Sequence, residues 1–296
     1  MRQLVTALFA CSLAFQALAS YTPELAQEMA FFSSIAYCPG DQLEKWSCKP
    51  CKQHPLARNS STVQYNEGRN VLSYVSQLST GEALVVFRGT EPLSLKDWIK
   101  DDLEFAKLKP ASILDCGACK VHEGFYDSYM ALRPGILAAL AAQGTVKGSS
   151  VYVTGHSLGA AMASLAMLDL HGQGFNIQQS YTFGQPRVGD DAYYSAFKAA
   201  MGVAGEFRVV HNCDPVPHLP LELMGFHHVS TEVWYDESND DYVVCDGSGE
   251  DPACEKCLLP VNVLDHLDYV HVAMGTLCGI PVNATAPVSH GMLRGH

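Results

Sequence analysis

Ser150-Val151-Tyr152-Val153-Thr154-Gly155-His156-Ser157-Leu158-Gly159 runs straight into Ala160-Ala161-Met162-Ala163-Ser164-Leu165-Ala166-Met167-Leu168. The first part is apolar and β-branched, as a buried strand is. The last part is a run of good helix formers. Between them sits Gly-x-Ser-x-Gly. A strand that turns sharply into a helix lifts the serine hydroxyl clear of a sheet, and side chains at 155 and 159 would clash across so tight a turn. Leu158 then offers its main-chain N–H at a helix start, where negative charge is stabilised. Alone, Gly-x-Ser-x-Gly is a weak signal, equally the mark of a loop serine. Its strand and helix give it weight.

Outward from this stretch, apolar β-branched runs alternate with helical ones. Strands are expected at 71–76, 83–88, 150–155, 180–184, 207–212, 228–235 and 241–245, and helices at 24–37, 125–142, 158–171 and 191–201. Near-continuous apolar strands with helices between them predict an α/β fold, a mostly parallel sheet covered on both faces. Antiparallel additions are expected near 228–245. No repeat or long linker divides the chain, so residues 20–296 read as a single domain.

The composition agrees. The chain has 296 residues, 48% hydrophobic and 17% charged, with a formal net charge of -12. That apolar share excludes a disordered chain. The acid excess argues against nucleic acid, whose phosphates need a positive field. Glycine content and heptads exclude collagen and coiled coil.

Residues 1–19 read as a secretory signal: a basic start at Arg2, an apolar run from Leu4, and the small-x-small site Ala17-Leu18-Ala19. The run is too short to cross a bilayer, and no later segment is long enough for a transmembrane span. Cleavage would leave 296 less 19, or 277 residues, remove Cys11 and turn eleven cysteines into ten. In an oxidising compartment ten cysteines read as up to five disulfides. Cys48/Cys51, Cys116/Cys119 and Cys254/Cys257 have a spacing that also suits zinc, but they lie far apart, so no metal or other cofactor is expected. Asn59 and Asn283 open glycosylation sequons.

A nucleophilic serine needs a base, and the base an orienting acid. Asp214 follows the strand 207–212 and precedes Pro215, as a strand-end acid would, though Asp-Pro is also an ordinary turn. His218, His227, His228, His266, His271, His290 and His296 are candidate bases.

Further blocks complete a pattern: Ala36-Tyr37-Cys38, Val85-Val86-Phe87-Arg88-Gly89-Thr90, Val121-His122-Glu123-Gly124-Phe125, Thr182-Phe183-Gly184-Gln185-Pro186-Arg187-Val188-Gly189, Asn212 to Pro220, His228 to Trp234, and Asp265-His266-Leu267-Asp268-Tyr269. In this order the chain resembles the secreted class 3, fungal-type triacylglycerol lipases, which have the α/β-hydrolase fold. The resemblance implies Ser157 as nucleophile, Asp214 as triad acid and His266 as base, with His271 second and placed on a terminal helix. It implies main-chain N–H groups of Thr90 and Leu158 as the oxyanion hole. Tyr37 resembles a supporting tyrosine there, or is a core aromatic beside a disulfide. His156 and His122 read as packed, hydrogen-bonded histidines. A neutral imidazole base would make activity fall below about pH 6.

The segment after Thr90 carries Leu95, Trp98, Ile99 and Asp102 at helical spacing. The resemblance implies a lid over the site, with what looks like one extra residue between Trp98 and Leu103. An ordinary surface helix is the alternative. The resemblance also implies disulfides Cys38–Cys278, Cys48–Cys51 and Cys116–Cys119. Cys245 would pair with Cys254 or Cys257, leaving Cys213 with the other or free. The expected protein is a secreted, monomeric hydrolase acting on acylglycerol esters at an oil–water interface. A phospholipase A1, a feruloyl or aryl esterase, and a non-catalytic lipid-binding protein are the other readings.

Overall fold

The structure is a computed structural model that describes residues 20–100, 108–202, 205–254 and 262–278. The expected signal at 1–19, Asp102, Cys257 and the sequon at Asn283 lie outside the described residues. Side-chain alternation builds the sheet. In Ala83–Phe87, Leu84 and Val86 enter one core and Val85 and Phe87 the other, and all four are buried. A strand buried on both faces belongs at the centre of a layered fold.

The first strands are β1 (Thr62–Asn66), β2 (Val71–Gln77) and β3 (Ala83–Phe87), and β4 (Leu108–Pro110) pairs apart with β5 (Lys120–His122). Then come β6 (Ser150–His156), β7 (Asn176–Ile177), β8 (Ser180–Phe183), β9 (Glu206–His211), β10 (Thr231–Tyr235) and β11 (Tyr242–Val244). Among the described residues the main sheet has nine strands in the order β1-β2-β3-β6-β8-β9-β10-β11, with β7 beside β6. From β3 to β10 it is parallel, and β1, β2 and β11 add antiparallel edges. This is the α/β-hydrolase arrangement.

Helix α1 (Pro23–Ile35) covers one face. The long α4 (Glu123–Ala142) and α5 (Leu158–Gly172) cover the other, with α6 (Asp191–Met201) beside them; α2 (Gly40–Glu44) and α3 (Leu95–Trp98) are short. Every residue from Gly159 to Leu170 is buried, which explains why α5 is apolar all round. Its one buried carboxylate, Asp169, is held by Arg133 at 2.6 and 3.0 Å. No described helix is long and apolar enough to cross a membrane.

Three sequence expectations change. β1 escaped notice because Thr62-Val63-Gln64-Tyr65-Asn66 is a half-exposed edge strand without an apolar run. The strand expected at 228–235 begins only at Thr231 and joins β9 in parallel, so β11 alone is the antiparallel addition there. His271 is not on a terminal helix. It lies in the turn between β12 (Asp268–Tyr269) and β13 (Val272–Ala273), with Val270 at φ 47° and His271 at φ 64°. Two successive left-handed residues exclude a helix there.

Disulfides join Cys38–Cys278, Cys48–Cys51, Cys116–Cys119 and Cys245–Cys254, with Cα–Cα distances of 5.0 to 5.9 Å. Cys254 is therefore the partner of Cys245, and Cys213 is disulfide-bonded too. The first bond spans 240 residues, a loop closure that chain-entropy arguments value at about 5 kcal/mol.

Candidate active site

Ser157 stands between β6 and α5 at φ 61° and ψ −130°, a strained backbone of the kind found at functional sites. Neighbouring backbone holds it there. Its N–H donates to the Phe183 carbonyl at 2.9 Å, and its carbonyl accepts from Ala160 N–H at 2.9 Å. The turn needs both glycines. A Cβ at Gly155 would lie 2.4 Å from the Gly159 oxygen, and one at Gly159 would lie 2.3 Å from the Phe87 oxygen. Ser157 Oγ is buried without a hydrogen-bond partner.

Asp214 follows β9 and is fully buried. Oδ1 accepts from the Val216 N–H at 2.8 Å, and Oδ2 accepts from His266 Nδ1 at 2.7 Å. One carboxylate thus both closes its own turn and bonds the imidazole. Oδ2 also accepts from the Tyr269 hydroxyl. On the far side of the ring, His266 Nε2 is buried without a hydrogen-bond partner.

The loops that bring acid and histidine together are clasped by Asp265. Its Oδ2 accepts from Asn212 Nδ2 at 2.9 Å and from Cys213 N–H at 3.1 Å. Its carbonyl accepts from His211 Nδ1 at 3.0 Å. The loop after Asp214 is held from behind by Arg187. Nε and Nη2 each donate to Glu250 at 2.8 Å, and Nη1 donates to the carbonyls of His218 and Pro220 at 2.6 and 3.2 Å. Burial alone would raise the Glu250 pKa, but the hydrogen bond and charge of Arg187 hold it below the usual value.

Leu158 opens α5, so its N–H precedes the helix's own bonding, which begins at Ala160. Leu158 and Thr90 line one cavity of about 510 Å³. Trp98 and Phe125 supply its apolar wall, and Arg69, Asn70, Ser94 and Asp97 supply polar wall. Leu95 and Trp98 are buried, with the Trp98 ring 6.3 Å from that of Phe125. Ile99 packs half-buried on the same core. The segment after Thr90 is thus seated on the body with its apolar face inward.

His122 caps α4, Nδ1 accepting from Gly124 N–H at 3.1 Å. His156 bridges Tyr37 and the His266 carbonyl. Deeper in the sheet lies Glu206. Burial pushes its carboxyl up to about 7, against the Ser230 and Thr182 hydroxyls that donate to it at 2.9 Å and the charge of Arg208.

The chain is similar to known proteins in sequence and fold. Residues 84–224 match the family model for lipase (class 3). A lipase of Rhizomucor miehei is 33% identical over 271 residues, which cover 87% of this chain and 71% of that one. The chain belongs to the class 3 lipase family. Secreted mono- and diacylglycerol lipase A of Penicillium cyclopium is another member, 34% identical over 66% of this chain and 63% of its own length. Among solved structures, Rhizomucor miehei triacylglyceride lipase aligns with a TM-score of 0.71 at 29% identity, covering 88% of this chain and 98% of that one. A triacylglycerol lipase whose catalytic centre is described as a serine protease triad aligns with a TM-score of 0.71 at 30% identity, over 86% and 96%.

Within this lipase fold, Asp214 and His266 are hydrogen-bonded, and the elbow residue His156 lies with its ring 4.5 Å from that of His266. Asn59 is exposed on a surface turn. Tyr269, Asp265 and Arg187 stand in the sequence blocks quoted above, but their bonding roles did not follow from the sequence, and Glu250 was not singled out. The spacing of Tyr269 three residues after His266 was the one available signal, and it carried no indication of a partner.

Proposed function

We propose that this chain is a secreted serine hydrolase that cleaves carboxylic esters of acylglycerols. The observation that carries the reading is the pair of buried, unpartnered atoms, Ser157 Oγ and His266 Nε2, with the far side of the imidazole bound to Asp214. Buried polar groups are normally satisfied, and two left open beside each other's chain segments suit a proton transfer. His266, oriented by Asp214, takes the Ser157 proton as Oγ attacks the ester carbonyl. The N–H groups of Thr90 and Leu158 receive the oxyanion; one such donor is typically worth ~3–4 kcal/mol. The alcohol leaves with the proton from His266, and water releases the acyl group by the reverse sequence.

Ser157 is fully buried, so substrate entry requires a cover to move. The segment from Pro92 to Ile99 is the candidate, and its outward swing would present Leu95 and Trp98 to lipid. Secretion is supported by the leader-like start, the disulfides and the naming of the Penicillium relative as secreted. Ser157→Ala should lower ester hydrolysis below a few per cent, and an organophosphonate should label Ser157 stoichiometrically. Retained hydrolysis in Ser157→Ala would refute the assignment.

The polar wall of the cavity favours a second reading of the substrate, an ester that carries a polar group on its alcohol or its acyl part: a phospholipid or a feruloyl ester. Rates on emulsified long-chain triglyceride, phospholipid and feruloyl ester separate the readings.

A further inference from the structure

His156 is a motif residue that the triad does not use, yet both its ring nitrogens are committed. Nε2 lies 2.8 Å from the main-chain oxygen of His266, and Nδ1 lies 2.7 Å from the Tyr37 hydroxyl. A carbonyl only accepts, so Nε2 carries the hydrogen. Nδ1 is then the acceptor, and Tyr37 donates to it. The ring is only 2% exposed. Burial, reinforced by the neighbouring His266, holds its pKa well below the usual histidine value, so the ring stays neutral.

The line continues past Tyr37. Its hydroxyl oxygen lies against Gly89. Gly89 presses so closely on it that a Cβ there would lie 2.3 Å from the phenol oxygen. Gly89 precedes Thr90 in the loop assigned to the oxyanion. Two donors therefore point the same way: Tyr37 O–H to His156, and His156 Nε2–H to the carbonyl of His266. Aligned hydrogen bonds polarise and strengthen one another in a buried site.

The far end needs such an anchor. His266 sits in a short 3-10 turn, Asp265–Leu267, rather than in the main sheet. Asp214 orients its ring, but the ring's position also depends on where the backbone stands. We infer that Tyr37 and His156 form a neutral strut that fixes the distance between the oxyanion loop and the main chain of the base. His156 is then a positioning residue, acting through His266. The inference rests on the triad reading proposed above.

The strut separates two amide variants. Gln reaches the Nε2 position and can keep the donor to His266, whereas Asn reaches only the Nδ1 position. On a soluble short-chain p-nitrophenyl ester, His156→Asn should lower kcat by about 10–100-fold with KM changed less than about twofold, the signature of lost alignment. Organophosphonate labelling of Ser157 should slow by the same factor. His156→Gln should recover kcat to within about threefold of the parent enzyme. Tyr37→Phe, which keeps the ring, should lower kcat by about 3–10-fold and serves if His156→Asn does not fold. Equal losses in the Asn and Gln variants, or unchanged kcat in Tyr37→Phe, would overturn the strut. Activity in Ser157→Ala would instead remove the triad reading on which it rests.

Discussion

The Tyr269 hydroxyl donates to Asp214 Oδ2, the same carboxylate oxygen that receives the His266 Nδ1–H. The acid thus keeps Oδ1 for its own turn and shares Oδ2 between a phenol and the imidazole. A fully buried carboxylate is costly unless its lone pairs are used, and three donors use them here.

Removing one donor should therefore weaken the support of His266, the proposed base, without emptying the core. Tyr269→Phe keeps the buried ring and deletes the hydroxyl. Loss of a hydrogen bond to a charged group is worth about 1.5–3 kcal/mol, so kcat/KM should fall by roughly 10–100-fold. Steady-state kinetics on a soluble ester checks this, and a change under twofold would mean that the phenol is incidental.

The Glu206 carboxyl makes stability depend on pH. Its pKa is about 7 in the folded protein against an ordinary 4.5. The folded state therefore holds a proton that the unfolded chain releases, and stability is lost as pH rises between those values. Across that window the loss is roughly 3 kcal/mol. Glu206→Gln cannot ionise, so its Tm relative to the parent should be higher at pH 8 than at pH 4.5. Identical differences at the two pH values would contradict the raised carboxyl.

Arg187 is nearly enclosed; it donates twice to Glu250 at 2.8 Å, with a Glu222 oxygen 3.6 Å away. Glu250→Gln leaves that guanidinium without its full counter-charge and should cost about 3–5 kcal/mol in urea unfolding. Because Arg187 also holds the carbonyls of His218 and Pro220, kcat should fall alongside stability.

Trp98 is the anchor of the inward face after Thr90. If the segment from Pro92 to Ile99 is the cover proposed above, Trp98→Ser should loosen it. Hydrolysis of monomeric tributyrin should rise, while the rate jump at the emulsion should shrink. An unchanged ratio of emulsified to monomeric rates would show that this segment does not gate the site.

The elbow was legible because its two periodicities, strand and helix, meet at a single serine, and both follow from local sequence. The parallel centre was legible for the same reason: Leu84-Val85-Val86-Phe87 must be buried on both faces. Edges were harder. β1 is half exposed, so its sequence looks like a loop until β2 pairs with it. The turn at Val270 and His271 depends on left-handed backbone that neither residue advertises. Asp214 could be named but not its bonding, since Tyr269 and Asp265 reach their partners across the fold. Hydrogen bonds between residues fifty positions apart leave no mark on spacing.

The cavity also divides the polypeptide by task. Its walls come mainly from the β1–β2 turn, the segment 90–98 and the start of α4, all ahead of Ser150. Ser157, Asp214 and His266 come after it. On the proposed triad, the three reacting side chains travel together on the later part of the chain, whereas most of the wall, with Thr90, lies on the earlier part, so a chimera joined just before β6 would exchange that wall between relatives and keep the triad intact.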